Sequence, residues 1–257
     1  MYKKKHILNT ITLILFSILC ILLVFVFYKF ISLNRLPNID INISPFTGKR
    51  LHKKVPPKNS IQVIYKLDNK TYDIDGLSNA DIIFEYINSN NKIIYKALFY
   101  DNISNELDKS SQVNENTLKD LPKFNFVDII DLNNNYKKSA NSIFISFDEF
   151  TSSNFIYKNG QYCHYRNTKE DVDKKLNKPI QVSNVLVQFL KPEMDRDNPI
   201  GCGDGLLFCG GRVIDIKWNK KGDTPIQITD KKGKPISLMR GSTWWILINE
   251  NSSVAYN

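Results

Sequence analysis

Between Ile11 and Phe27 the chain reads ITLILFSILCILLVFVF, with no charge and only Thr12 and Ser17 as hydroxyl-bearing residues. Ile7 to Thr10 lead into this run and Tyr28 to Ile31 lead out. The stretch offers about 20 residues suited to hydrocarbon, the length an α-helix needs to cross a bilayer. A chain that begins this way must fold everything else on one side of the membrane. Lys3, Lys4 and Lys5 stand directly before the run, and the positive-inside rule keeps that end in the cytoplasm. Lys29 and Arg35 weaken this asymmetry without reversing it. A cleaved secretory signal would have a shorter apolar core and a small-x-small cleavage site, which Val26-Phe27-Tyr28-Lys29-Phe30 does not offer. A lipoprotein signal ending at Cys20 would need a small residue where Leu19 stands, and a polar turn where the apolar run continues. The expectation is an uncleaved single-pass anchor over residues 7–31, behind a cytoplasmic tail of residues 1–6.

The formal charge of +9 on 257 residues looks like a signal for nucleic acid until it is located. Residues 1–58 hold ten Lys and Arg against Asp40 alone, and the rest of the chain carries 25 charges of each sign. A neutral body offers no basic groove, so no nucleic acid is expected as a partner. The collar of Lys49, Arg50, Lys53, Lys54 and Lys58 reads as a solvated linker over residues 32–60, with anionic headgroups or wall polymers as the other reading.

Beyond the linker, Ser44-Pro45-Phe46-Thr47-Gly48 reads as a turn with a buried Phe. Ile61 to Tyr65, Ile82 to Tyr86 and Lys92 to Tyr100 read as strands, the last two joined by Asn88 to Asn91 with hairpin turn chemistry. Ser78 is placed to cap a short helical turn. Weak helical signal runs from Glu115 to Leu121, and Val127 to Ile130 reads as a short strand. After about residue 140 the texture turns β-rich. Hairpins are signalled by Asn159-Gly160 and Gly210-Gly211, a buried strand by the apolar run Asn184 to Phe189, and a closing strand by Trp244 to Ile248. The expected fold is α+β: an N-terminal transmembrane helix, a small mixed α/β domain over 61–140, then a β-rich C-terminal domain over 141–257.

Two groups of residues are candidates for binding. Asp81 and Glu85 lie four apart, an even spacing that would put them on one strand face, where they could handle a cation or a proton. Capping and hairpin pairing explain them as well. Trp244 and Trp245, with Trp218, can stack on sugar rings or fill a core. Cys163-His164, Cys202 and Cys209 lack the paired spacing of a structural zinc site and lack a His-Gly-Cys arrangement, so buried or incidental thiols or one Cys202–Cys209 disulfide account for them. Gly201-x-Gly203-x-Gly205 precedes a strand rather than a helix, and reads as a tight turn with positive φ rather than a phosphate loop. No catalytic set, metal or cofactor is indicated.

Several of these segments together resemble the YerB-like family of exported Gram-positive proteins and lipoproteins, whose function is poorly defined. Ser44 to Gly48 is similar to the family's opening turn, and Gly76-Leu77-Ser78-Asn79-Ala80-Asp81-Ile82-Ile83-Phe84-Glu85 to its signature. Asn184 to Gln188, Gly201 to Phe208, Gly211 to Ile214 with Trp218, Gly233 to Ile236 and Gly241 to Trp244 follow the family order. The family's arginine-containing segment after the first hairpin has no counterpart, so the first domain looks shortened. The resemblance implies an extracytoplasmic envelope protein of the cell membrane. Its expected role is a non-catalytic binding or scaffolding module for a cell-wall polymer or an envelope protein, with the membrane contacted through the N-terminal helix. The alternative is an enzyme, or an activator of one, acting on wall polymer through Asp81 and Glu85.

Overall fold

The computed structural model describes residues 16–26, 29, 42–51, 60–67, 74–100, 121–128 and 138–257. The chain divides into two compact units, Met1–Ile41 and Asn42–Asn257. In the first, residues 16–26 are helical with exposed side chains. Eleven residues rise about 16 Å, half of a bilayer's hydrocarbon core, and among the described residues no helix is long and apolar enough to cross a membrane. That finding corrects the expected transmembrane helix over 7–31, whose flanks lie outside the described residues, as do most of the linker and all of the stretch from Ile103 to Asp120.

The second unit corrects the rest of the α+β expectation, because it is built almost wholly from strands. β1 (Ile61–Leu67), β2 (Ile82–Ile87) and β3 (Ile93–Phe99) come first, then the short β4 (Asn125–Val127) and β5 (Lys138–Ser139). β6 (Ser142–Ser146), β7 (Ser152–Lys158), β8 (Gln161–Arg166), β9 (Lys169–Glu170), β10 (Val172–Asp173), β11 (Lys178–Pro179) and β12 (Gln181–Val182) follow. β13 (Asn184–Leu190), β14 (Gly201–Cys209), β15 (Arg212–Lys220), β16 (Gln227–Asp230), β17 (Ser237–Met239), β18 (Thr243–Asn249) and β19 (Ser253–Tyr256) complete the chain. Among its described residues the one helical piece is a 3-10 turn over Leu77–Asn79, capped by Gly76 rather than Ser78. Ser78 instead donates from its hydroxyl, at 2.8 Å, and from its backbone N–H to Asp173.

A nine-stranded sheet runs β1-β3-β2-β18-β13-β14-β15-β16 with β5 at its side, and a six-stranded sheet runs β12-β8-β7-β6-β19 with β9. β18 pairs in parallel with both β13 and β2, so strands expected in separate domains lie side by side in one unit. Strand alternation gives the large sheet two buried faces. Ile83, Tyr95, Val185, Val187, Phe208, Trp244 and Ile246 point inward, where they meet Ile143, Ile145, Phe155 and Tyr162 of the small sheet. Their neighbours Tyr86, Leu186, Leu190, Leu207, Trp218, Trp245 and Leu247 form the outer core, packed beneath Ile226, Ile236, Leu238, Phe124 and Phe126.

The turn chemistry is as read. Asn159-Gly160 and Gly210-Gly211 both take positive φ at their two positions, the twist that suits a two-residue hairpin. Phe46 is buried, with Ser44 Oγ accepting from the N–H groups of Phe46 and Thr47. The Gly201-x-Gly203-x-Gly205 stretch differs: it is not a turn but the start of β14. A Cβ at Gly205 would stand 2.5 Å from the Val187 carbonyl, and one at Gly203 2.7 Å from Trp218 Nε1, so these glycines permit close approach within the sheet. Cys163, Cys202 and Cys209 are free thiols. Cys202 and Cys209 sit at opposite ends of β14, about 23 Å apart for seven residues of strand, which no disulfide can bridge.

Candidate functional site

The two faces of the large sheet place the four predicted residues in three different settings. Asp81 is a buried connector just before β2: its carboxylate accepts from the Tyr100 N–H at 2.6 Å and its carbonyl from the Thr243 N–H at 3.0 Å. Glu85 and Trp244 lie together on the inner face, and Trp245 lies on the outer one. The structure therefore separates the Asp81–Glu85 pair and splits the two tryptophans.

On the inner face, Glu85 is fully buried and saturated. One carboxylate oxygen accepts from the Ser153 hydroxyl and from Trp244 Nε1–H, each at 2.7 Å, and the other accepts from Arg166. Arg166 also donates to Tyr95 Oη and, at 3.0 Å, to the Ser152 carbonyl. Ser153 Oγ lies 2.7 Å from His164 Nε2, and His164 Nδ1 lies 2.8 Å from Asp171. The imidazole stacks on Trp244 with centroids 4.0 Å apart.

The hydrogen count fixes the roles along this chain. Ser153 has one hydroxyl proton, which it donates to Glu85, so its oxygen's lone pairs face His164 Nε2, and Nδ1 faces Asp171. Arg166 pairs with Glu85 and His164 hydrogen-bonds Asp171, so each buried ionisable group has a partner.

A serine, a histidine and an aspartate in hydrogen-bonded sequence invite a nucleophile reading. Here the serine gives its proton to a carboxylate instead of to the imidazole, and Ser153 and His164 are both wholly buried. A neighbouring cavity of about 730 Å³ is lined by Leu67, Phe150, Arg166, Asn167 and Asp171, but neither Ser153 nor His164 forms part of its wall.

The outer face holds a different kind of place. A cavity of about 100 Å³ lies against Phe84, Trp245, Leu247 and Ile226, with Gln188 in its wall. Phe84 and Trp245 rings sit 5.2 Å apart. Trp245 Nε1–H, which can only donate, is 2.9 Å from Gln188 Oε1, and this fixes the amide's orientation. Gln188 Nε2 is then left buried with no acceptor.

The residues after β13 close over this cavity. Asp197 accepts from the Tyr86 hydroxyl and, at 3.0 Å, from Lys96 Nζ; Arg196 donates to the Ile87 carbonyl; and Lys220 Nζ donates to Asn198 at 2.6 Å. Burial pushes the Asp197 carboxyl up, but the Tyr86 and Lys96 hydrogen bonds outweigh it and hold the group below its usual value. Burial, then the bond to Asp197, drives the Tyr86 phenol well above its own. Among the described residues Lys96, Arg196, Lys220 and Asp197 line the cavity, with Asp195 acting on Tyr86 as well.

Comparison with known proteins agrees with the fold. Residues 143–245 match the model of the C-terminal domain of a protein of unknown function (DUF3048). The crystal structure of the YerB protein from Bacillus subtilis superposes with a TM-score of 0.62 at 15% identity, covering 83% of this chain and 99% of that one. The fold is YerB-like. At that identity the likeness is one of fold, and no curated protein matches the sequence.

Of the site residues, sequence reading reached Trp245 and Glu85 but missed Gln188, Ser153, Arg166 and Asp171. Gln188 carried a signal: it is the polar residue inside the apolar run Val185 to Phe189. Arg166 and Asp171 carried none: each stands among polar residues with no pattern of its own.

Proposed function

We propose that this YerB-like chain is a non-catalytic binding module of the cell envelope, working outside the cytoplasm, and that its binding site is the cavity at Trp245 and Gln188. The observation that carries the reading is Gln188, a residue of the cavity wall whose buried amide nitrogen lacks an acceptor among the described residues. A buried donor left unmade costs about 1–3 kcal/mol, and folded proteins keep such costs chiefly where something else completes the bond. Aromatic walls with a few fixed polar groups are the usual make-up of a ligand site. The enzymatic alternative through Asp81 and Glu85 is less well supported, since Asp81 serves backbone N–H groups and Glu85 already holds three donors.

The test is photo-crosslinking in cells from Pro199, which lines the cavity, with Phe144, exposed on the small sheet, as the control position. Capture of one envelope species from position 199 and not from 144 is expected. Equal capture from both positions would remove the cavity from the reading, and release of soluble fragments from purified peptidoglycan by the full chain would remove its non-catalytic part.

A further inference from the structure

We infer that a polar trough at one end of the large sheet takes a neutral carbohydrate chain. The trough is a second site, sharing Arg196 and Leu247 with the Trp245 cavity but lined otherwise by different residues.

Two cavities meet to form it. One, of about 470 Å³, lies at the carboxyl ends of β2 and β18, against Ile87 and Asn249. The other, of about 730 Å³, lies beside the carboxyl end of β1 at Leu67. Asn91 lines both, and Phe147 of the first directly precedes Asp148 of the second. Each alone has the size of an ordinary ligand site, about 300–1,000 Å³, so together they suit linked units rather than one compact molecule.

Three asparagines on separate turns set the hydrogen bonding. Asn88 Oδ1 accepts from the N–H groups of Asn90 and Lys92, at 3.0 and 2.9 Å. Asn249 Oδ1 accepts from the Asn251 N–H at 3.0 Å, and Asn167 Oδ1 from the Ser152 N–H at 2.8 Å. An amide accepts only through its oxygen, so all three are oriented and each keeps an NH2 group with two protons to give. None of these nitrogens donates to a described residue, and the side chains are exposed or half-buried, within reach of a ligand. Donors scattered over turns do not make the regular ladder by which a strand edge holds an extended peptide. The hydroxyl and ring oxygens of a sugar chain accept from many directions.

Phe150 supplies the apolar contact. It is 83% exposed in the wall of the trough, and its N–H donates to Asp148 Oδ1 at 2.8 Å. A phenyl face attracts the C–H groups of a pyranose and would shed water against them. Arg166, Lys169 and Arg196 stand in the walls with Asp148 and Asp171, so both signs are present and a neutral ligand fits better than a charged one.

The probes are N,N′,N″-triacetylchitotriose and cellotriose, both neutral trisaccharides, and N-acetyl-trialaninamide, a neutral capped peptide. Each is titrated into the full chain by calorimetry. At least one trisaccharide is expected to bind saturably, and the peptide about tenfold more weakly or worse. Phe150→Ala and Asn249→Asp should each weaken the sugar about tenfold. The second keeps the oxygen that accepts from Asn251 and removes only the donors. Phe144→Ala, a change on the exposed face of the small sheet outside the trough, should leave binding as it was. Phe150 is so exposed that its truncation spares the core, and that variant decides if Asn249→Asp folds poorly. No saturable binding of either sugar by about 10 mM, peptide binding as tight as the sugars', or sugar binding unmoved by Phe150→Ala and Asn249→Asp would overturn the inference. Crosslinking from Pro199 reports on the Trp245 cavity, so either site can fail its test without the other.

Discussion

Trp244 and Trp245 are chain neighbours with opposite environments, and the contrast organises the molecule. Each donates its indole N–H to a buried side-chain oxygen: Trp244 to Glu85 on the inner face, Trp245 to Gln188 on the outer. On the inner face the acceptor is charged, and the network closes through Ser153, His164, Arg166 and Asp171. On the outer face the acceptor is neutral, and its other end is left without a partner beside a cavity. A closed charged network rigidifies and specifies a core, whereas an open polar end in an apolar wall leaves something for a ligand to complete. The resemblance to a catalytic constellation thus lies in the charged network of the inner face, and the cavity-lining amide lies on the other.

The sharpest way to break this contrast is to remove Glu85. Glu85→Ala strands the buried Arg166 guanidinium and the N–H of Trp244, and a loss of about 3–5 kcal/mol in urea unfolding is expected. The double variant Glu85→Leu/Arg166→Met removes both charges and should recover part of that loss, since the penalty comes from an uncompensated buried charge. A single-variant loss under about 1 kcal/mol would show that the inner network is not what holds the two sheets together. On the outer face, Gln188→Leu removes the acceptor of Trp245 but also the unpartnered nitrogen. The two effects oppose each other, and a loss near 1 kcal/mol is expected. A loss as large as that of Glu85→Ala would erase the distinction between the faces.

How much of this could be read in the sequence follows from distance along the chain. Hairpins need only neighbours, so Asn159-Gly160 and Gly210-Gly211 were legible from their own φ requirements. Alternation along β15, with Ile214, Ile216 and Trp218 facing one core, was legible too. The parallel pairing of β2 with β18 brings Ile83 beside Trp244, and no local signal announces it. That pairing is why one unit stands where two domains were expected. It also decides the site: Glu85 meets Ser153 and Trp244 68 and 159 positions away, so neither its saturation nor the siding of the tryptophans was within reach. The apolar run near the start shows the opposite error, because hydropathy alone promised a span, and the described helix of residues 16–26 is about half the needed length.

The smallest expected effect concerns the segment that closes the outer cavity, and its sign follows from Asp197. That carboxyl titrates below its usual value because Tyr86 and Lys96 bond to its charged form. A depressed carboxylate stabilises the fold above the unfolded value, near 3.9, and the contribution is lost as pH falls through the lower folded value. Tyr86 sets the other limit. Its raised phenol contributes below the unfolded value of about 10 and loses that contribution as pH rises further. The tie is therefore complete between about pH 4 and pH 10. Asp197 is largely exposed, so solvent screening leaves a modest gain, about 0.5 kcal/mol or less. Hydrogen exchange resolves such an effect where global unfolding would not. Amides of residues 194–198 should exchange faster below about pH 4 after correction for intrinsic rates, while the inner strands β7 and β8 do not. Asp197→Asn should flatten that dependence and show faster exchange at neutral pH. If wild type and variant share the same profile, the carboxylate is not what fastens the outer cavity, and other contacts such as those of Arg196 with the Ile87 carbonyl and Lys220 with Asn198 hold that segment.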